Sequence, residues 1–168
     1  DPDRSVNVNG LIIHGRVRRA PVADGAELVA YSGFSAENYL EQPYNADLDF
    51  GTGDFAVMGW VKPDATAART FISYEGDEGW QLDNYGGNLR FWEYTPGGGG
   101  NKNLATTAAS TALQFVCVTV VGRVVSMYVN GALVATGANT LRSFQNGVLR
   151  IGRANSFLKY SAWGSQLA

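Results

Sequence analysis

The chain has 168 residues, 45% of them hydrophobic, with 21 glycines, one cysteine, one histidine and a formal charge of −2. That length suits one domain able to bury a two-layer core without staples, and the few basic clusters, chiefly Arg16, Arg18 and Arg19, are too local for a phosphate-tracking surface and argue against nucleic acid as a partner. Cys117 alone forms no intrachain disulfide and no cysteine-based zinc site, and His14 alone leaves a catalytic triad or histidine metal site without material.

In chain order, Ser5 to Val22 carries Leu11, Ile12, Ile13 and Val17 around Gly10 and Gly15, a pattern of one or two edge strands. The start at Asp1, with no secretory pattern, is what an excised domain or processed product would show. Tyr39 to Tyr44 reads as a short strand after the loop Tyr31 to Asn38. Phe55 to Val61 reads as a strand with apolar side chains on both faces, placed between two layers, and Lys62-Pro63-Asp64 ends it. Thr70 to Tyr74 opens the next strand, and Glu75 to Gly79 is an acidic loop.

The stretch Trp80 to Tyr94 is the clearest signal. Gly86-Gly87 supplies the positive φ of a two-residue hairpin turn, which sets Asn84 opposite Leu89, Asp83 opposite Arg90, Leu82 opposite Phe91 and Gln81 opposite Trp92. Alternation then puts Trp80, Leu82, Leu89 and Phe91 on the core face. Gln81, Asp83, Tyr85, Arg90, Trp92 and Tyr94 share the outward face, with Asp83 and Arg90 as a cross-strand ion pair. Gly97 to Gly100 reads as a flexible rim loop; without a following Lys-Ser or Lys-Thr it is no phosphate loop.

Phe115 to Val121, Val124 to Val129 and Ala132 to Thr136 form a meander through Gly122-Arg123 and Asn130-Gly131. Its first strand, interrupted by Thr119, is far shorter than the ~20 residues of a membrane helix, so membrane insertion is not expected and Cys117 reads as a small buried hydrophobe. Val125, Met127 and Val129 on one parity, and Val124, Tyr128 and Leu133 on the other, imply that one face packs on a loop or on another chain. Val148 to Gly152 and Phe157 to Ala162 supply the last strands. Such short strands with tight turns imply an all-β fold of two stacked antiparallel sheets.

Tyr39-Leu40-Glu41-Gln42-Pro43, Ala46 to Phe55, Trp60-Val61-Lys62-Pro63, Tyr128-Val129-Asn130-Gly131 and Leu149-Arg150-Ile151-Gly152-Arg153 resemble, in order and spacing, a laminin-G-like, concanavalin A-like jelly roll. The segment Val22 to Ser35 is similar to jelly-roll modules in tail fibres and other surface proteins of tailed bacteriophages. That resemblance implies a virion surface component, often trimeric, that recognises a host-surface glycan or braces a neighbouring virion protein as a decoration or assembly domain.

Endo-glucanases of this fold set carboxylates at alternating positions of one strand so that acid and nucleophile flank one bond. Glu75-Gly76-Asp77-Glu78-Gly79 comes nearest, yet glycines interrupt it, and a non-catalytic module is expected. Asp47, Asp49 and Asp54, or Glu75, Asp77 and Glu78, could offer oxygens to calcium, against the reading that they are solvated turn carboxylates. A glycan site needs a flat aromatic surface beside hydrogen-bonding side chains. Gln81, Asp83, Tyr85, Arg90, Trp92 and Tyr94 offer that combination; cover by the Gly97 to Lys102 loop, or burial against another subunit of a homo-oligomer, are the alternatives.

Overall fold

The computed structural model describes residues 10–63, 68–95, 99–138, 143–153 and 166–167. Fourteen short strands are described: β1 (Ile12–His14), β2 (Arg18–Pro21), β3 (Val29–Ser32), β4 (Tyr39–Gln42), β5 (Phe55–Lys62), β6 (Arg69–Glu75), β7 (Gly79–Tyr85), β8 (Asn88–Thr95), β9 (Gly99–Ala108), β10 (Gln114–Val121), β11 (Val124–Val129), β12 (Ala132–Ala138), β13 (Val148–Ile151) and β14 (Gln166–Leu167). They build two seven-stranded antiparallel sheets. The first runs β1-β4-β13-β6-β7-β8-β9 and the second β12-β11-β10-β5-β14-β3-β2. The fold is the all-β sandwich of two stacked antiparallel sheets that the punctuation of the sequence implies.

Turn chemistry fixes the register at two places. Gly86 and Gly87 stand at φ 58 and 78, and Asn84–Leu89, Asp83–Arg90, Leu82–Phe91 and Gln81–Trp92 face each other as the two-residue turn requires. Asn130 at φ 50 and Gly131 at φ 83 turn β11 into β12, and the Asn130 Oδ1 accepts the Phe115 N–H at 2.9 Å, tying that turn to β10.

Between the sheets lies an aromatic core. Phe55 stacks on Phe50 at 4.8 Å between ring centroids and on Trp80 at 5.7 Å, while Phe144 meets it edge-on at 5.8 Å. Trp80, Leu82, Leu89 and Phe91 of the first sheet and Val116, Val118, Val120, Val125 and Met127 of the second are buried there. Each such side chain contributes about 1.5–3 kcal/mol on leaving water.

Several expectations shift. β5 is not covered on both faces: Phe55 and Val61 point inward and are buried, whereas Met58 and Trp60 point outward and are 60% and 36% exposed. Cys117 is not a core residue, because it pairs with Met58 on that outward parity and is only half-buried. Gly99 and Gly100 are not rim loop but the start of β9, drawn into the sheet by pairing with β8. The expected strand at Phe157 to Ala162 lies outside the described residues, as do Ser5 to Asn9, Gly97 and Gly98. Among the described residues, no helix is long and apolar enough to cross a membrane.

Candidate functional site

The outward face of the first sheet carries the six expected side chains, three of which, Gln81, Arg90 and Trp92, converge on the Asp83 carboxylate. Asp83 receives Arg90 Nε at 2.6 Å on Oδ1, and on Oδ2 it receives Arg90 Nη2 at 2.8 Å, Gln81 Nε2 at 2.7 Å and Trp92 Nε1 at 2.9 Å. Alternation along β7 and β8 places all four side chains on one face, and the bidentate guanidinium is the pairing that stabilises a desolvated carboxylate best. The Arg90 guanidinium also lies over the Tyr85 ring at 4.3 Å and the Trp92 ring at 5.0 Å.

The face is nevertheless closed. Gln81, Asp83, Trp92 and Tyr94 are 4% exposed or less, while Tyr85 stays 44% exposed. The single chain suffices for this cover, which corrects the expectation of an open aromatic strip. Tyr94 lies down across β7 instead of standing out: its hydroxyl donates to the Tyr74 carbonyl at 3.2 Å, and a Cβ at Gly79 would sit 2.2 Å from its ring. Gly79 is the sequence signal for that close approach. Alternation assigned the faces but not the tilt of the rings.

What remains accessible is the end of the hairpin. Tyr85 presents a ring there, and Arg90 Nη1 reaches Asn103 Oδ1 of β9 at 3.5 Å. Asn103, which pairs with Trp92, escaped the sequence reading because β9 was not recognised as a strand.

A second ionic cluster sits on the same face, centred on β13, two strands from β7. Arg150 of β13 donates through Nε to Glu41 Oε2 at 2.9 Å and through Nη1 to Glu75, tying β4, β13 and β6 together. Burial pulls this guanidinium down, but the hydrogen bonds and charges of Glu41 and Glu75 outweigh it and leave it above its ordinary value. His14, stacked on Tyr39 at 4.2 Å with Nε2 3.5 Å from Glu41, borders the cluster in a structural role.

Several of the expected calcium ligands already hold hydrogen-bond partners. Asp49 accepts from the Tyr74 hydroxyl at 2.9 Å, the Asn146 N–H at 2.9 Å and the Tyr44 hydroxyl at 3.1 Å. Asp54 accepts the Gly122 N–H at 2.6 Å, and Asp47 stands in the first turn of a short 3-10 helix, Ala46–Leu48. Asp77 takes the Asn146 side-chain amide at 2.6 Å. Among the described residues no group of three or more His, Cys, Asp or Glu side chains is placed to hold a metal ion.

Two stacked seven-stranded antiparallel sheets in this strand order define the jelly-roll class of β-sandwich. The chain belongs to the laminin-G-type family of the concanavalin A-like lectin/glucanases superfamily, whose model matches residues 34–166. No curated protein matches it by sequence. Among solved structures it is similar to the binding domain of botulinum neurotoxin DC in complex with SialylT, at 14% identity and a TM-score of 0.69 over 89% of this chain; the chain spans 40% of that protein. It is similar to domain 4 of AbnA, an extracellular arabinanase of Geobacillus stearothermophilus, in complex with arabinotriose, at 17% identity and a TM-score of 0.68 over 94% of this chain and 80% of that one. A conserved carbohydrate esterase from the Shiga toxin-encoding bacteriophage phi24B aligns at 12% identity and a TM-score of 0.61, covering 97% of this chain and 89% of that chain.

Proposed function

We propose that the chain is a non-catalytic carbohydrate-binding module that takes a sugar ring at the exposed end of the β7–β8 hairpin. The observation that carries this reading is the half-exposed Tyr85 ring beside a guanidinium already fixed by Asp83. A sugar's C–H face packs on such a ring, and its hydroxyls accept from Arg90 and exchange hydrogen bonds with Asn103. Because Arg90 is held before the ligand arrives, little side-chain entropy is lost on binding. The sugar-bound domains among the structural relatives support this class of ligand. A non-catalytic role is supported by the engagement of the face's carboxylates, since Asp83 is held by Arg90, and Glu41 and Glu75 by Arg150.

The finer context is a virion surface protein facing a host glycan. It is supported by the likeness of Val22 to Ser35 to phage tail modules, and locating the domain in an intact particle tests it. Isothermal titration against a hit from a glycan array tests the site. Tyr85→Ala lowers affinity about tenfold, the loss of roughly 1.4 kcal/mol expected of one ring contact, and lowers the melting temperature only by the few degrees that a lost exposed cation–π contact of about 0.5–1 kcal/mol implies. Asp83→Asn lowers both affinity and stability, because the released guanidinium is left partly buried. Release of reducing sugar from a polysaccharide by the unaltered protein would defeat the non-catalytic reading.

A second reading, a decoration or assembly domain making protein contacts only, is favoured by a different observation. The outward face of the second sheet exposes Met58, Trp60, Val121, Val124 and Leu133 at 36–60%, an apolar surface of the kind that marks protein contacts. Calcium at the rim remains a proposal of the resemblance alone, checked by the shift in melting temperature on adding the ion.

A further inference from the structure

At the exposed end of the β7–β8 hairpin an aromatic ring and a set of hydrogen-bond donors lie within reach of one small group. The Arg90 guanidinium carbon is 4.3 Å from the centre of the half-exposed Tyr85 ring, and Arg90 Nη1 is 3.5 Å from Asn103 Oδ1. Asn103 is exposed on β9, the last strand of the first sheet.

The hydrogen-bonding character of this end is one-sided. Asp83 supplies the carboxylate of the group, and its oxygens already take Arg90 Nε on one side and Arg90 Nη2, Gln81 Nε2 and Trp92 Nε1 on the other. A guanidinium only donates, so it is the oxygen of the Asn103 amide that faces Arg90, and the amide hydrogens are left to meet a ligand. What the end offers is N–H donors beside a ring. A sugar hydroxyl could accept from these donors but would have to turn its own proton elsewhere, whereas a carbonyl oxygen accepts from both and brings no proton. A carboxylate would accept as well. The Arg90 charge, however, is already balanced by a bidentate partner that is 2% exposed, so an anion would shed its hydration for hydrogen bonds without net attraction. An acetamido group carries a carbonyl oxygen and a methyl on the same carbon, the first suited to the donors and the second to the ring.

We propose, on the carbohydrate reading of this end, that the site selects N-acetylated amino sugars. The acetamido oxygen accepts from Arg90 Nη1 and from the Asn103 amide, and the acetyl methyl packs on the exposed part of the Tyr85 ring. Asn103 is the residue that sets the selection, because its amide adds the donor that a plain hydroxyl does not need.

Methyl glycosides of the plain, amino, N-acetylamino and uronic acid forms of glucose and of galactose test this. They are titrated at neutral pH into the isotope-labelled whole chain and followed by the side-chain resonances of Asn103 and Arg90. The acetamido glycoside of one series binds at least about tenfold more tightly than its plain counterpart, because a site that hydrogen-bonds a substituent rejects the analogue lacking it. The amino glycoside binds weakest, since its ammonium meets Arg90, and saturation transfer from the protein is strongest at the acetyl methyl. Asn103→Asp, which sets an acceptor where the amide donated, abolishes the preference and raises the amino glycoside above the acetamido one. Equal constants for plain and acetamido glycosides, with shifts at Asn103, overturn the proposal and leave a sugar site standing. Tightest binding by the uronic acid overturns it in favour of acidic sugars. No shift from any of these glycosides at millimolar concentration overturns it as well, and an array without hits then removes the carbohydrate reading too.

Discussion

Tyr74 shows how one side chain joins the core to the rim. Its ring stacks parallel to Trp80 at 6.1 Å, while its hydroxyl donates to Asp49 and accepts the Gly147 N–H at 3.0 Å. Gly147 is glycine because a Cβ there would sit 2.1 Å from the tyrosine ring. Burial first, then the hydrogen bond and charge of Asp49, raise the Tyr74 phenol well above its ordinary 10.0. A group whose ionisation is disfavoured only in the folded state stabilises fully below its unfolded value and progressively less above it. Stability therefore falls as pH rises beyond about 10. Tyr74→Phe lowers stability at neutral pH by about 1–2 kcal/mol, since Asp49 and Gly147 each lose a partner, and flattens that alkaline fall; urea midpoints measured from pH 7 to pH 11 check both. The Cys117 thiol is also raised by burial, so its alkylation by iodoacetamide in the folded protein at pH 8 runs slower than in urea.

At the scale of elements, the sequence was legible where turn chemistry and alternation agreed. Gly86-Gly87 fixed the β7–β8 hairpin to the residue, because positive φ at both turn positions leaves little freedom of register, while Asn130-Gly131 located the β11–β12 turn but not the register shift at Met127 and Tyr128. β9 was not legible. Its Gly-Gly-Asn-Lys-Asn opening has no apolar period, and its strand conformation is imposed by β8. β14 is two residues long and has no local signal at all. The closure of the outward face was hidden for a related reason: period two tells which way a side chain leaves the backbone, not whether Tyr94 then lies across Gly79 or Arg90 folds over Trp92. Close approach is what glycine records, and β12 offers the sharpest case. A Cβ at Gly137 would stand 1.7 Å from the Leu104 carbonyl oxygen of β9, where the two sheets meet at their edge. Gly137→Ala must push that edge open and lowers the melting temperature by more than about 4 °C, a loss above roughly 1 kcal/mol on the scale of about 2–4 °C per kcal/mol for a domain near this size, whereas Gly131→Ala strains only a turn and costs about 1 kcal/mol or less. Differential scanning calorimetry of the two variants measures the difference.

For the molecule as a whole, the two sheets present contrasting exteriors. The first is polar, networked and largely closed; the second exposes Met58, Trp60 and Leu133 around the closely spaced Trp60 and Phe115 rings, 5.6 Å apart. If the apolar exterior joins copies of the chain, as the assembly reading holds, light scattering gives a multiple of 18.0 kDa that falls to the monomer on changing both Trp60 and Leu133 to Ser, with sugar binding at Tyr85 untouched. Monomer mass throughout would remove self-association through this face and leave the glycan site standing.

The order of strands in the sheets also dictates when the chain can fold. β13 lies between β4 and β6, and β14 lies between β3 and β5, so in both sheets a strand made late must enter between neighbours made early. On the ribosome the first half of the chain therefore waits with unfilled edges. Native structure forms only after residues near Leu167 have emerged, at the slow rates of topologies dominated by distant pairings, and a nascent chain stalled before β13 is a substrate for chaperones and proteases.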